Sequence, residues 1–191
     1  MKTKKVIDSI TRIAIFLALL IVGSFMTLQT GLVKFTLQLL VIFIIGLTLS
    51  LKEGLIVVCL YIVMGLIGIP VFSGFGGGFA YVFAPTFGFV YGFIPGLIAM
   101  WAIKKLDNKI HTKYLVDALA CVACLLVVYA FGFLHGYFIL NSMKGLDYSF
   151  SYLLSIFIVP YIPFDLLKIG VAIVCKSCVY SYYGKRIFRV R

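Results

Sequence analysis

Residues 54–103 read GLIVVCLYIVMGLIGIPVFSGFGGGFAYVFAPTFGFVYGFIPGLIAMWAI, a run without one Asp, Glu, Lys or Arg. A helix that crosses a lipid bilayer needs about 20 mostly apolar residues, so this run is long enough for two spans. Its middle, 70–81, is dense in glycine, which disfavours a helix. Irregular backbone at membrane depth survives only where protein or a cavity surrounds it. The run therefore predicts two transmembrane helices joined by a glycine-rich loop on the outer side, which caps a ligand pocket.

The rest of the chain has the same apolar character. Hydrophobic residues make up 63% of the sequence and charged residues 12%, whereas soluble domains carry about 25% charged residues. The alternating segments of about ten residues that are typical of a membrane barrel do not occur. We predict an all-α polytopic membrane protein, a single membrane domain over 1–191. Its bundle of six transmembrane helices is expected at approximately 9–28, 35–50, 54–69, 85–103, 115–140 and 163–183.

The positive charges predict the orientation of this bundle. The net charge is +11, with 17 Lys and Arg residues. If the N-terminus lies inside, all of these except Lys34, Lys144 and Lys168 fall on the inner side. Such a bias fixes the topology of membrane proteins. We therefore expect a multi-pass protein of a bacterial cell membrane with both termini in the cytoplasm. The bilayer, and not nucleic acid, is the partner that this charge pattern indicates.

Two opposite charges interrupt the last apolar segment. Asp165 and Lys168 lie three residues apart in PFDLLK (163–168), so they share one helix face at its outer start. Ionisable residues within membrane helices are costly and mark functional sites; the alternative is an ion pair that only holds the helix in place. More polar side chains are expected on the same side: Thr36, Gln38, Tyr81, Thr86, His135, Tyr137 and Asn141. Singly each suits an interfacial anchor, but together they predict a pocket for a small amphiphilic ligand.

Several chemical signatures are absent or incomplete. Cys121-x-x-Cys124 and Cys175-x-x-Cys178 have the spacing of a four-thiolate zinc site, but both pairs fall in apolar helical runs without the turns that such sites use. We expect no metal and no cofactor. The sequence contains no G-x-x-x-x-G-K-[ST] loop for ATP hydrolysis and no G-x-S-x-G or H-E-x-x-H motif. We therefore expect no enzymatic activity.

Three segments resemble the BioY family, the biotin-specific substrate-binding S components of energy-coupling factor (ECF) transporters. VKFTLQ (33–38) is similar to the family's VPFTLQ, GLIGIPVFSG with GGG (65–78) to its signature loop, and PFDLLK (163–168) to its PGDxxK. The chain departs from the family's usual residues in four places: Lys34, Ala84, Phe89 and Phe164.

The resemblance implies a ligand and a set of residues that bind it. The ligand is biotin, captured on the outer side for import. Asp165 would accept hydrogen bonds from its ureido group, and Lys168 would donate to a ligand oxygen. The other substrate-binding residues that we predict are Thr36, Gln38, Gly76, Gly77, Gly78 and Tyr81.

The resemblance also implies partners: a transmembrane coupling subunit and two cytoplasmic ATPases. Ala14 and Ala18 resemble the small-residue motif with which S components dock on the coupling subunit. Alanines four residues apart flatten one helix face, although the same spacing also serves packing inside a bundle. The rival hypothesis is a self-sufficient secondary transporter, which needs a site for a coupling ion, whereas Asp165 is the only acid expected in the outer pocket. A membrane enzyme would need a catalytic set that the sequence lacks.

Overall fold

The computed structural model describes residues 2–30, 33–105 and 113–183, and nearly all of them are helical. This confirms the prediction of an all-α membrane protein. Short 3-10 turns at Phe79–Phe83 and Val159–Tyr161 and a π-helix at Phe138–Met143 connect the main elements. The α-helices are α1 (Lys2–Phe25), α2 (Gln38–Thr48), α3 (Leu51–Leu66), α4 (Phe87–Lys104), α5 (Lys113–Tyr137), α6 (Phe150–Phe157) and α7 (Ile162–Tyr183).

The helices differ in whether they can span a bilayer alone. Among the described residues, four helical stretches are long and apolar enough: Lys4–Phe25, Phe87–Lys104, Lys113–Met143 and Phe150–Val179. The second and third predicted helices also exist, as α2 and α3, but they have 11 and 16 residues. A straight span needs about 20 residues. These two helices are therefore short members of the bundle.

A β-hairpin separates α1 from α2, where the sequence predicted only a turn between longer helices. Strands β1 (Thr27–Thr30) and β2 (Val33–Thr36) pair antiparallel, with Thr27 opposite Thr36. The first helix therefore ends at Phe25 instead of 28, and the second begins at Gln38 instead of 35. Threonine and valine favour the extended backbone of a strand. The hairpin places Thr36, at the end of β2, next to Gln38, at the start of α2.

The start of α3 also differs from the predicted position. We predicted that this helix begins near residue 54, but it already begins at Leu51. Ser50 caps it: its hydroxyl accepts from the Glu53 N–H, and the Glu53 carboxylate accepts from Ser50 in return. This reciprocal capping box satisfies backbone donors of the first turn. Glu53 also accepts from Ser9 (Oγ to Oε1, 2.6 Å) and pairs with Arg12, so α1 is tied to the start of α3.

Contacts between helix ends show which ends of the helices lie together. Lys104 at the end of α4 donates to the carbonyl of Gly46 at the end of α2 (3.0 Å). Lys176 near the end of α7 pairs with Asp117 near the start of α5 (2.5 Å). We call the two ends of the bundle the basic end and the hairpin end. The basic end holds the starts of α1, α3 and α5 and the ends of α2, α4 and α7. The hairpin end holds β1 and β2 and the connections 67–86 and 138–161.

Helices α4 and α5 form the most extensive contact in the bundle. Gly88, Gly92 and Gly96 recur every four residues on α4, so they form one stripe that faces α5. A Cβ atom at Gly88 would lie 2.6 Å from the carbonyl oxygen of Phe131, and one at Gly92 would lie 3.4 Å from the Cα of Val128. Small residues at such positions let two membrane helices approach closely.

We predict that Gly88→Ala destabilises the protein, because its methyl group would overlap the backbone of α5. Overpacking of this kind costs about 1–3 kcal/mol of unfolding free energy. The matched control is Gly170→Ala on α7, where a Cβ meets nothing within 4 Å; alanine is the better helix former, by about 1 kcal/mol. Thermal unfolding in detergent should show a lower melting temperature for Gly88→Ala and an unchanged or higher one for Gly170→Ala. Equal melting temperatures would contradict the close helix contact.

Candidate ligand-binding site

A cavity lies at the hairpin end between α2, α4, α5 and α7. It contains about 650 Å³ of empty space, counting its open mouth. Small-molecule sites in proteins combine apolar walls with a few polar groups. The apolar walls include Phe35, Leu39, Phe89, Phe93, Val128 and Phe157. The polar groups include Thr36, Gln38, Tyr81, Thr86, Tyr129, Asp165 and Lys168.

The two charged residues of α7 form a buried ion pair in the wall of this cavity. Asp165 and Lys168 are 4% and 5% exposed, and Lys168 Nζ lies 2.6 Å from Asp165 Oδ1. The same ammonium donates to the main-chain carbonyl of Thr36 (2.8 Å) and lies 4.1 Å from the centre of the Phe35 ring. A buried pair offsets its desolvation cost only when further hydrogen bonds satisfy it. These contacts meet that condition and fasten α7 to the hairpin.

Tyr129 of α5 is a site residue that the sequence analysis did not identify. Its hydroxyl donates to Asp165 Oδ2 at 2.5 Å. We had interpreted tyrosines as interfacial anchors, but Tyr129 lies in the middle of an apolar helix and is 7% exposed. A hydroxyl within an apolar membrane helix needs a hydrogen-bond partner, and this requirement was the only indication in the sequence that Tyr129 contacts another polar residue. Each carboxylate oxygen of Asp165 now accepts one hydrogen bond from the protein and retains capacity for another.

Thr36 and Gln38, both predicted, also line the cavity, and they bond to each other. The Thr36 hydroxyl donates to Gln38 Oε1 (3.2 Å), and Gln38 Nε2 donates to the hydroxyl of Tyr61 (2.5 Å). The single proton of the Thr36 hydroxyl is therefore used within the protein. Towards a ligand, this hydroxyl can act as an acceptor.

The glycine-rich loop is folded tightly on itself. Phe72 and Gly76 exchange two backbone hydrogen bonds of 2.9 and 3.2 Å. Gly78 has a φ of 89°, in the left-handed region that glycine adopts without strain. A Cβ at Gly77 would lie 2.7 Å from the carbonyl oxygen of Ile69. The glycines are required for the shape of the loop.

The loop meets the cavity through other residues than the predicted glycines. Tyr81 and Ser73 line the cavity, with the Tyr81 hydroxyl 3.5 Å from the Ser73 carbonyl. Gly76, Gly77 and Gly78 are not among the lining residues. A Cβ at Gly76 would overlap the Tyr81 ring. Gly76 therefore acts on the cavity indirectly, by leaving room for Tyr81.

The remaining polar residues on this side divide into two groups. Thr86 lines the cavity, whereas His135, Tyr137 and Asn141 do not. His135 Nε2 donates to the carbonyl of Val82 (3.1 Å), which joins α5 to the turn before α4. Asn141 makes hydrogen bonds within the connection to α6. For these three residues the interpretation as anchors and interhelical contacts fits better than a place in the pocket.

Ala14 and Ala18 lie far from the cavity, on α1. Both are exposed, one helical turn apart. Neither is packed inside the bundle that the described residues form. The exposed face of α1 is otherwise lined by large apolar side chains such as Ile15 and Leu19.

Comparison with known proteins identifies the relatives of this chain. Residues 1–185 match the BioY family. The chain is 34% identical over 161 residues to the biotin transporter BioY of Thermotoga maritima, covering 83% of this chain and 87% of that one. It is 31% identical over 183 residues to a probable biotin transporter BioY of Lysinibacillus sphaericus, covering 95% and 87%. Both are named as transporters, not as enzymes.

A solved structure has the same fold. It is the crystal structure of the S-component for biotin from an ECF-type ABC transporter, and it superimposes with a TM-score of 0.79 at 23% identity, covering 95% of each chain. At this identity the likeness supports the fold. The family match and the two relatives confirm the resemblance that the three sequence segments indicated. The chain belongs to the BioY family.

Proposed function

We propose that this chain binds biotin in the cavity at the hairpin end and delivers it as the S component of an ECF-type importer. The observation that carries the proposal is the buried Asp165–Lys168 pair, which forms part of the wall of an open, otherwise largely aromatic cavity. An ion pair with only a structural role does not need a cavity beside it. The names of the relatives make biotin the first ligand to test.

The chemistry of biotin fits the groups in the wall. Its ureido ring has two N–H donors and a carbonyl, its fused rings are apolar, and its tail ends in a carboxylate. Asp165 retains capacity to accept from ureido N–H groups. Lys168 has three protons, of which Asp165 and the Thr36 carbonyl take two, so one remains for a ligand oxygen. The Phe89 and Phe93 rings offer an apolar surface for the bicycle.

The charge distribution supports an outward-facing cavity. At the basic end, Lys4, Lys5 and Lys52 are exposed. At the hairpin end, Lys144 is exposed and Lys168 is buried in its ion pair. Because Lys and Arg accumulate on the cytoplasmic side of membrane proteins, the hairpin end faces the outside of a bacterial cell membrane. Both termini then lie in the cytoplasm, and biotin enters the cavity from outside.

Energy for transport must come from partners. The sequence has no phosphate-binding loop, and its exposed Ala14 and Ala18 leave a flat strip on α1 where another membrane helix can approach closely. We assign this strip to the transmembrane coupling subunit, which links the chain to two cytoplasmic ATPases.

We predict that Asp165→Asn weakens biotin binding by about 10- to 100-fold, because a hydrogen bond to a charged group contributes about 1.5–3 kcal/mol. The matched control is Asp117→Asn, which breaks a second Asp–Lys pair, with Asp117 4% exposed, at the opposite end of the bundle. Isothermal titration of both purified variants measures the difference.

Asp117→Asn should lower thermal stability but keep biotin affinity within about threefold of wild type. If both variants bind biotin as wild type does, the pair of α7 has only a structural role. If both lose affinity equally, the loss comes from the fold and not from the cavity.

We predict that Ala14→Trp combined with Ala18→Trp separates binding from transport. Bulky side chains hold the coupling subunit away from α1, so co-purification with that subunit and ATP-dependent uptake fall sharply. Biotin affinity of the isolated chain stays within about threefold. The matched control is Ile15→Trp with Leu19→Trp, an equally spaced exposed pair that is already large (54% and 46% exposed). Unchanged uptake by the variant with tryptophan at positions 14 and 18 would favour the self-sufficient transporter. Uptake without partner subunits would favour it as well.

A further inference from the structure

Tyr61 of α3 connects the cavity to the glycine-rich loop without lining the cavity itself. Its side chain is fully buried (0% exposed). Its hydroxyl oxygen lies 2.5 Å from Gln38 Nε2 and 3.1 Å from the carbonyl oxygen of Val71, at the base of the loop. The hydroxyl of Ser24 on α1 lies 2.6 Å from the same Val71 carbonyl oxygen and 2.6 Å from the carbonyl oxygen of Ile21. One buried hydroxyl thus joins α2, α3 and the loop, and reaches α1 through Val71.

The direction of these hydrogen bonds follows from the carbonyl of Val71. A carbonyl can only accept, so the Tyr61 proton points to Val71, and the Tyr61 oxygen must accept from Gln38. Gln38 therefore turns its amide nitrogen to Tyr61 and its oxygen to the Thr36 hydroxyl, which donates to it. If the Gln38 amide were reversed, its oxygen would face Tyr61 and would take the Tyr61 proton. No proton would then lie between the Tyr61 and Val71 oxygens.

We propose that Tyr61 is a positioning residue for ligand binding, which fixes the orientation of the Gln38 amide in the cavity wall. This inference rests on the proposed biotin site and deepens it. With the amide locked, Gln38 offers a ligand one remaining N–H and one remaining oxygen lone pair at fixed places. Tyr61 thereby affects affinity through Gln38 although it does not line the cavity.

The first test uses the protein without ligand. Gln29 and Gln38 are the only glutamines in the sequence, so selective ¹⁵N labelling of glutamine side chains gives two pairs of amide proton signals. The Gln38→Ala variant assigns them. In wild type, the Gln38 amide should show two resolved protons that exchange slowly with water. Tyr61→Phe should merge or shift them, whereas Tyr91→Phe, which removes a tyrosine hydroxyl of α4 that does not line the cavity, should not.

The Gln38 amide signals of wild type and of the two tyrosine variants decide the proposal. A Gln38 amide that exchanges fast in wild type, or that is unchanged in Tyr61→Phe, overturns it. A change that Tyr61→Phe and Tyr91→Phe share also overturns it, because the effect is then not specific to the Tyr61–Gln38 contact. The wild-type spectrum keeps the proposal testable even if Tyr61→Phe does not fold.

The second test measures biotin affinity in a double-mutant cycle. Tyr61→Phe should weaken binding by about tenfold, the equivalent of about 1.4 kcal/mol. Because Tyr61 acts through Gln38, the variant Tyr61→Phe with Gln38→Ala should bind no more weakly than Gln38→Ala alone. Two losses that simply add would mean that the residues act independently, which overturns the positioning role. If wild type binds no biotin, the proposed function fails, and the amide signals alone then decide the inference.

Discussion

The ion pair between Lys168 and Asp165 is the interaction on which the candidate site depends. Both side chains are almost fully buried, so each must be paired and hydrogen-bonded to remain charged there. The lysine does this through the carbonyl of Thr36, and the aspartate through the hydroxyl of Tyr129. Hydrogen bonds to this ion pair consequently hold the hairpin, α5 and α7 together. The same groups keep unused hydrogen-bonding capacity, which a bound ligand can take up.

The rest of the bundle leaves a cavity beside this ion pair. At the basic end, separate polar contacts join the helix ends, as between Lys104 and the last carbonyls of α2 or between Lys176 and Asp117. The glycine stripe of α4 brings α4 and α5 together. At the hairpin end, aromatic side chains line the space that remains between the helices.

Sequence reasoning could predict the features that a bilayer imposes, because apolar length and charge are local properties. It found the helical class, the break at the glycine-rich loop, and Asp165 and Lys168 as unusual residues. The hairpin was missed because Thr27 and Thr36 lie at the ends of runs that are apolar enough for helices, and only pairing across the turn selects strands. Tyr129 was missed because its role depends on the register between α5 and α7. Gly76, Gly77 and Gly78 were predicted to bind the ligand, whereas in the structure Gly76 leaves room for Tyr81 and Gly78 adopts a positive φ in the loop.

Equilibrium titration of the purified chain with labelled biotin tests the account most directly. The protein is held in lipid nanodiscs without ATP, magnesium or partner subunits, and unlabelled biotin and lipoate serve as competitors. Both have a carboxylate tail, but only biotin has the ureido group that Asp165 is proposed to bind. The account predicts saturable binding of one biotin per chain at micromolar concentration or below, displaced by biotin and not by lipoate. Absence of saturable binding in this range, or equal displacement by both competitors, would contradict it.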